Sequence, residues 1–329
     1  MKDVIANFDD FELDSDTKKS LMNLSRESAS KKISIVTGAG ISVSSGLPTW
    51  HQLLEKTTKI FLVHWDLLAS KNMVYSERVP AQLSIAMAEN IFLDNVDAEL
   101  VKFLLKDDPL MLAQLIKNCV EENNWNWMLR KCLYDDYTNI KIYSATFESI
   151  FNLIVTHKNK IDNILTYNYD NFLELYLRGK GIKTQTIIKE NSDNPIRKLP
   201  IYYLHGILPV YGGIKGKVYL TEDDYLSDIV EPNSWYNQLH ASTLTNNICI
   251  FLGLSFNDPS LKRKLSVNRL HRNHYHYAIL CLHDDLYSKR KFLLLKNELL
   301  RLNVRVITYP YTDRHTYLPK IVELIKNLC

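Results

Sequence analysis

Four times along the chain, a short apolar run ends abruptly in a turn of small and polar residues. Ile33 to Val36 runs into Thr37-Gly38-Ala39-Gly40-Ile41-Ser42, and Ile161 to Thr166 into Tyr167-Asn168-Tyr169-Asp170. Ile201 to Leu204 ends at His205-Gly206, and Asn247 to Leu252 at Gly253-Leu254-Ser255. Apolar runs this short, bounded by turn residues, read as fully buried strands. Helical patterns separate them, and strands alternating with helices imply a mostly parallel sheet covered on both faces. The expected fold class is therefore α/β and Rossmann-like. In such sheets, ligands bind at the strands' carboxyl ends, where these turns lie.

The rest of the chain is organised around that sheet. An amphipathic helix is expected over residues 11–30, with Leu13, Leu21, Leu24 and Ala29 toward one side. Residues 51–160 are rich in Leu, Ala, Lys and Glu and nearly free of glycine, which reads as a helical insertion. The sheet core then occupies 33–50 and 161–310, and residues 311–329 carry a last helix from Tyr317 to Leu328. Further strands are expected at Thr184 to Ile188, Lys217 to Thr221, Tyr277 to Leu282 and Val304 to Tyr309. A helix from Asn171 to Arg178 is closed by Gly179 and Gly181. With 46% hydrophobic residues, all 329 can share one domain with a substantial core.

Composition removes several classes of function. A formal charge of +3 is too small to make nucleic acid the main partner. The basic run Lys262, Arg263, Lys264, Arg269 and Arg272 reads as a solvated helix face. Five cysteines, at 119, 132, 249, 281 and 329, include no C-x-x-C pair, so no zinc ribbon can be built locally. An odd count with Cys249 inside an apolar run fits reduced thiols and a cytoplasmic location. Met1 to Asp16 is acidic without an apolar segment, unlike a signal peptide, and no apolar stretch approaches membrane-spanning length. His271-x-x-His274-x-His276 has no Cys or acidic neighbour in sequence and reads as a polar loop rather than a metal site. Trp125, Trp127, Tyr134 and Tyr137 read as helix packing within the insertion, with a subunit interface as the second use.

Each turn admits a bland and a functional reading. Gly38 and Gly40, one residue apart, allow close approach of a pyrophosphate, and the N-terminus of a following helix would add N–H donors. Yet Val43 stands where G-x-G-x-x-G needs its third glycine, and no Gly-Lys-Ser/Thr follows. Asn168 and Asp170 could cap a helix or place a hydroxyl or water. His205, at a strand end beside a glycine, could serve as a base near neutral pH.

Taken together, Gly38-Ala39-Gly40-Ile41-Ser42 with Ser45-Gly46-Leu47-Pro48, Thr166-x-Asn168-x-Asp170, Leu204-His205-Gly206 and Gly253-x-Ser255 resemble the SIR2 (sirtuin) superfamily. Leu220-Thr221-Glu222-Asp223-Asp224-Tyr225 and Gly253-x-Ser255-Phe256-x-Asp258 are similar to its bacterial SIR2-like branch, many members of which consume NAD in antiphage defence. The resemblance spans about 33–310 and implies NAD as substrate and no metal. It implies catalytic roles for Asn168 and His205, and cofactor contacts from Gly38, Ala39, Gly40, Ser42, Gly46, Asp170, Gly253 and Ser255. Thr49-Trp50-His51 follows Pro48 where deacetylases carry Asp-Phe-Arg, and the zinc module of deacetylases is absent. Those departures favour NAD hydrolysis over deacylation; a binding module that senses NAD or ADP-ribose is the third alternative. Self-association or a partner protein would keep such an activity in check. His51, His64 and Trp65 are candidates for the nicotinamide pocket or its lid.

Overall fold

Ile33–Thr37 (β1) is buried along its whole length, so it needs a strand on each side and a helical layer on each face. A computed structural model supplies all of these. It describes residues 4, 5, 8, 10–70, 97–106, 108–120, 122–134, 141–189, 198–213, 216–230, 234–271, 273–312 and 314–329.

The strands are β1, Ile161–Thr166 (β2), Thr184–Ile187 (β3), Leu199–Tyr203 (β4), Ile248–Leu252 (β5), His276–Leu282 (β6) and Val304–Pro310 (β7). They form one seven-stranded sheet in the order β3-β4-β2-β1-β5-β6-β7, and every pairing is parallel. Register aligns the last residues of four adjacent strands: Tyr203 pairs with Thr166, Thr166 with Thr37, and Thr37 with Leu252. The chain adds β2 and β4 on one side of β1 and then returns to place β5 on the other. The switch point therefore lies between β1 and β5.

Side chains alternate between the two faces. Ile33, Ile35, Ile164, Ile250 and Ile279 point into one core, with Ser15–Glu27 (α1), Ala145–Thr156 (α6), Phe172–Gly179 (α7) and Leu318–Leu328 (α12). Val36, Leu165, Phe251, Ala278 and Val306 point into the other, with Trp235–Asn246 (α9), Pro259–Asn268 (α10) and Leu286–Arg301 (α11). On α1, Leu21 and Leu24 are buried as the pattern predicts, while Ala29 is exposed beyond the helix end. Gly179 ends α7, and Gly181 turns away with φ +86°.

Between β1 and β2 the expected helices are present: Trp50–Ser70 (α2), Ala98–Lys106 (α3), Pro109–Cys119 (α4), Glu122–Tyr134 (α5) and α6. Helix α6 packs on α12 against the sheet, whereas α3, α4 and α5 pack against α2. Trp125 and Tyr134 of α5 are buried within the chain, and the Tyr134 hydroxyl donates to Leu208 O at 2.6 Å. Arg130 donates to Val210 O and Gly212 O, at 2.7 and 2.8 Å. The insertion thus grips the segment that follows His205; Tyr137 lies outside the described residues.

Two local expectations need correction. Lys217 to Thr221 forms no strand; it borders the sheet irregularly, with Tyr219 N–H donating to His205 O at 3.2 Å. Pairing with a turn rather than with a strand gives it no ladder to extend. No α-helix directly follows the Gly38–Ser42 turn either. Two short 3-10 turns, Ala39–Ile41 and Val43–Ser45, come first, and Gly46 at φ +90° ends the second. Helix α2 begins only at Trp50, after Pro48. No described helix is long and apolar enough to cross a membrane.

Candidate active site

Because the sheet is parallel, the turns after β4, β2, β1 and β5 all emerge at one edge, and backbone hydrogen bonds stitch them together. Leu204 N–H donates to Thr166 O, Tyr167 N–H to Thr37 O, and Gly38 N–H to Leu252 O, each at 2.9 Å.

The β1 and β5 turns meet backbone on backbone. Gly40 N–H donates to Gly253 O at 2.9 Å. A Cβ on Gly40 would lie 2.8 Å from the Gly253 Cα, and one on Gly253 would lie 2.5 Å from Ile41 N, with φ already at +66°. These glycines are required by each other, whatever ligand approaches them. The turn's amides are also largely committed: those of Gly38, Gly40, Ile41 and Ser42 all donate to carbonyls of the protein. The hydroxyl oxygens of Ser44 and Ser45, by contrast, are buried with no hydrogen-bond partner among the described residues. Gly46 is exposed at the end of this turn, and Ser255 is exposed with its hydroxyl facing Asn257 N–H.

The β2 turn carries the polar centre. Asn168 and Asp170 are 5% and 6% exposed. The Ser42 hydroxyl donates to Asp170 Oδ2 at 3.0 Å, and Asn168 Nδ2 donates to both Ser42 Oγ and Asp170 Oδ2 at 3.2 Å. Asp170 Oδ1 accepts the Phe172 N–H at 3.0 Å, so the same carboxylate also starts α7. Burial pushes the Asp170 pKa up, against the hydrogen bonds from Phe172, Ser42 and Asn168. These contacts fix the amide so that Asn168 Oδ1 is left buried without a partner. The hydroxyl of Thr37, at the end of β1, is in the same condition. Buried acceptors and hydroxyls left without partners are costly, and clustering at one edge suits them to a polar ligand.

His205, 4% exposed, follows β4. Its ring lies edge-on to Tyr167 at 4.9 Å and to Tyr225 at 5.6 Å, stacks on Tyr219 at 5.9 Å, and is tilted against Tyr169 at 6.4 Å. Tyr167 and Tyr169 flank Asn168 in the chain, so the aromatic box around His205 is built on the same turn. Burial raises the Tyr169 and Tyr225 pKa values, keeping both phenols neutral. Tyr169 donates to Tyr219 O at 2.6 Å and also contacts the Trp50 side chain, which brings the start of α2 to the box. His205 Nε2 stands 3.5 Å from Asp258 Oδ2.

Behind Tyr167 sits a second histidine. His240 Nδ1 lies 2.8 Å from Tyr236 O, a pure acceptor, so Nδ1 carries the proton and Nε2 accepts from the Tyr167 hydroxyl at 2.9 Å. Burial, then the nearby Lys264, hold the His240 pKa well below the ordinary value, so the ring stays neutral.

The structure therefore brings Ser42, Asn168 and Asp170 into one hydrogen-bonded group and sets His205 beside the residues flanking it. Gly38, Ala39, Gly40 and Gly253 border that group, whereas Ser255 and Gly46 take no part in its hydrogen bonds. His51 is exposed, and the side chains of His64 and Trp65 lie outside the described residues. Sequence reasoning gave no role to Asp258, His240 or the tyrosine box. Asp258 and Tyr225 lie within the stretches that carry the resemblance, and Asp258-Pro259 also has the form of a helix start.

Within the histidine run, His274 Nε2 lies 2.9 Å from Asn247 O, and His276 Nδ1 accepts from Cys249 N–H at 3.1 Å. Both are tied to strand ends, while Arg272 and the His271 side chain lie outside the described residues. Among the described residues, no group of three or more His, Cys, Asp or Glu is placed to hold a metal ion.

Residues 162–302 match a family model described as a SIR2-like domain. The match runs from β2 through α11, and so takes in Asn168, Asp170, His205, Gly253 and Asp258, while the Gly38–Gly46 turn lies ahead of it. It supports the SIR2-like superfamily and an NAD-related function. A comparison with curated proteins finds no match.

Proposed function

We propose that the chain binds NAD at the shared carboxyl edge of β4, β2, β1 and β5 and hydrolyses its nicotinamide–ribose bond. The observation that carries this reading is the Ser42–Asn168–Asp170 group. It holds a buried amide with its oxygen unspent, one strand away from a buried histidine. In bound NAD the pyridinium nitrogen takes back the bonding electron pair as the C–N bond breaks. Water then completes ADP-ribose, leaving neutral nicotinamide and one proton.

The chain's own residues divide that work. Asn168 offers Oδ1 to the attacking water or to a ribose hydroxyl, and Asp170 and Ser42 keep the amide turned that way. His205 accepts the released proton, and its box of tyrosines excludes bulk water. Gly38, Ala39, Gly40 and Gly253 shape the floor under the phosphates, with Gly46 and Ser255 at its margin. Since the turn's amides are mostly committed, the Ser44 and Ser45 hydroxyls are the donors best suited to phosphate oxygens.

Nicotinamide release from NAD by purified Asn168→Ala and His205→Ala proteins tests the assignment. Each should be slower than the parent by roughly 10²–10⁴-fold, with an unchanged circular dichroism spectrum. Parent-like rates in both variants would remove Asn168 and His205 from the chemistry. Control by self-association or by a partner protein, as in a cytoplasmic antiphage effector, is the regulatory side of the proposal. Native mass measured alongside turnover addresses it, and a parent whose rate is independent of assembly would speak against it.

A further inference from the structure

Asp258 has two carboxylate oxygens and two separate environments. Oδ1 accepts the N–H groups of Ser260 and Leu261, at 2.8 and 3.2 Å, capping α10. Oδ2 is turned to the other side and stands 3.5 Å from His205 Nε2. The side chain is only 15% exposed and the imidazole 5%, so water screens the pair weakly. The approach is fixed by packing. Phe256 adopts φ +57°, unusual for a bulky residue, and is buried edge-on against Phe251 of β5 at 5.3 Å. That anchored kink, followed by Pro259 in the first turn of α10, aims the cap back at the β4 turn.

A helix cap needs no charge: Asn or Ser would serve α10 equally well. What an aspartate adds is a carboxylate beside a buried imidazole. We infer that Asp258 is the positioning residue for His205, pairing with the imidazolium that forms when the ring takes up a proton. The inference deepens the NAD-hydrolase reading and rests on it for its catalytic consequence, but the ion pair itself does not.

Among the described residues, the other groups facing the ring do not provide this charge. Tyr167 and Tyr169 on the β2 turn, Tyr219 in the irregular segment, and Tyr225 near the start of Glu222–Val230 (α8) are phenols. His240 of α9 is neutral, and its neighbour Lys264 on α10 sits over the Tyr236 ring at 3.9 Å. Asp224 is already paired with Lys117 and Lys217, at 3.5 and 3.2 Å, and Lys217 also lies over the Tyr219 ring at 5.1 Å. Among the described residues, the carboxylate beside a proton gained by His205 is that of Asp258. The electron bookkeeping is simple: the imidazole lone pair accepts the proton and no bond to carbon forms.

The test is Asp258→Asn, which keeps the cap and removes the charge. The His205 imidazole is titrated by NMR in the full chain, its signal assigned by its loss in His205→Gln. The titration midpoint should fall by about one pH unit or more in Asp258→Asn, with melting temperature little changed. NAD cleavage should slow about 10- to 100-fold, and the acid limb of kcat/KM should move to lower pH by the same interval. An unchanged midpoint with an unchanged acid limb overturns the pairing even if the parent turns over NAD. A shifted midpoint in a parent that releases no nicotinamide keeps the pair and removes the hydrolase reading instead. Asp258→Ser, which also caps, separates the cases if the asparagine protein is unstable. It should reproduce the shift, and a parent-like midpoint there counts against the inference.

Discussion

The two halves of the sheet edge look alike in sequence and are built on different physics. On the β1–β5 side, small residues follow the strands because two backbones touch, and the turn's amides are mostly spent within the protein, leaving the Thr37, Ser44 and Ser45 hydroxyls as its unpaired groups. On the β2–β4 side, polar residues follow the strands and end up buried with capacity left over at Asn168 Oδ1. A glycine after a strand can therefore report a demand of the fold, while buried polar groups left unsatisfied together at the strand ends are suited to a polar ligand. Only the second kind of residue should be removable without damage to the structure.

The largest expected effect puts that contrast to a direct test. Asn168→Ala should lose about 10²–10⁴-fold in nicotinamide release while melting close to the parent. Deleting the amide removes one unsatisfied acceptor together with two long donor contacts of 3.2 Å, and the 3.0 Å Ser42–Asp170 bond survives it. Gly253→Ala should do the reverse in kind. Its new methyl meets Ile41 N at 2.5 Å from a left-handed backbone, at a cost of roughly 2–4 kcal/mol, read as a lower denaturation midpoint. If Gly253→Ala were as stable as the parent, the glycines would have to be explained by a ligand instead.

A smaller effect concerns the insertion's hold on the β4 turn. Tyr134→Phe deletes a buried hydroxyl that donates to Leu208 O, three residues beyond His205, and should cost about 1–2 kcal/mol. Because Arg130 still grips Val210 and Gly212, the catalytic rate at a temperature where both proteins are folded should change by less than threefold, about 0.6 kcal/mol. A loss of rate as deep as that of Asn168→Ala, with stability intact, would mean that α5 acts on the chemistry and not merely on the fold.

Most of the fold was legible because its strands are short, apolar and bounded, and that pattern has few parallel-sheet alternatives. β1, β2 and β5 lie within a residue of where the hydropathy puts them. Lys217–Thr221 was not legible: its alternation of Val218 and Leu220 satisfies the strand period, but both side chains are buried by a loop crossing the β4 turn. The site was half legible. Asn168, Asp170 and His205 stand next to strand ends, where position alone marks them. Asp258 and His240 reach the same place across α10 and α9, and nothing local in a sequence records which way a helix cap or a helix face will point. Tyr167 and Tyr169 carry no such mark, since an aromatic box exists only once the β2 and β4 turns lie side by side.

The smallest effect probes the support behind the β2–β4 half. His240 is held neutral chiefly by burial, with Lys264 adding to the penalty and the Tyr236 carbonyl opposing it. In the unfolded chain the same ring takes up a proton near its ordinary value of 6.5. Below that pH the unfolded state binds a proton that the folded state refuses. The contribution of His240 to stability is therefore complete above pH 6.5 and drains away as pH falls, by at most about 1.4 kcal/mol per pH unit. His240→Gln keeps an acceptor for the Tyr167 hydroxyl but cannot titrate, so its stability should fall less than the parent's between pH 7.5 and 5.5 in urea unfolding. Equal falls would mean that the folded ring protonates as readily as the unfolded one. The Tyr167 hydroxyl would then lose its acceptor in acid, and the wall behind His205 would loosen. A difference in slope assigns the acid limb of catalysis to His205 and its carboxylate alone, because the second histidine then stays silent throughout.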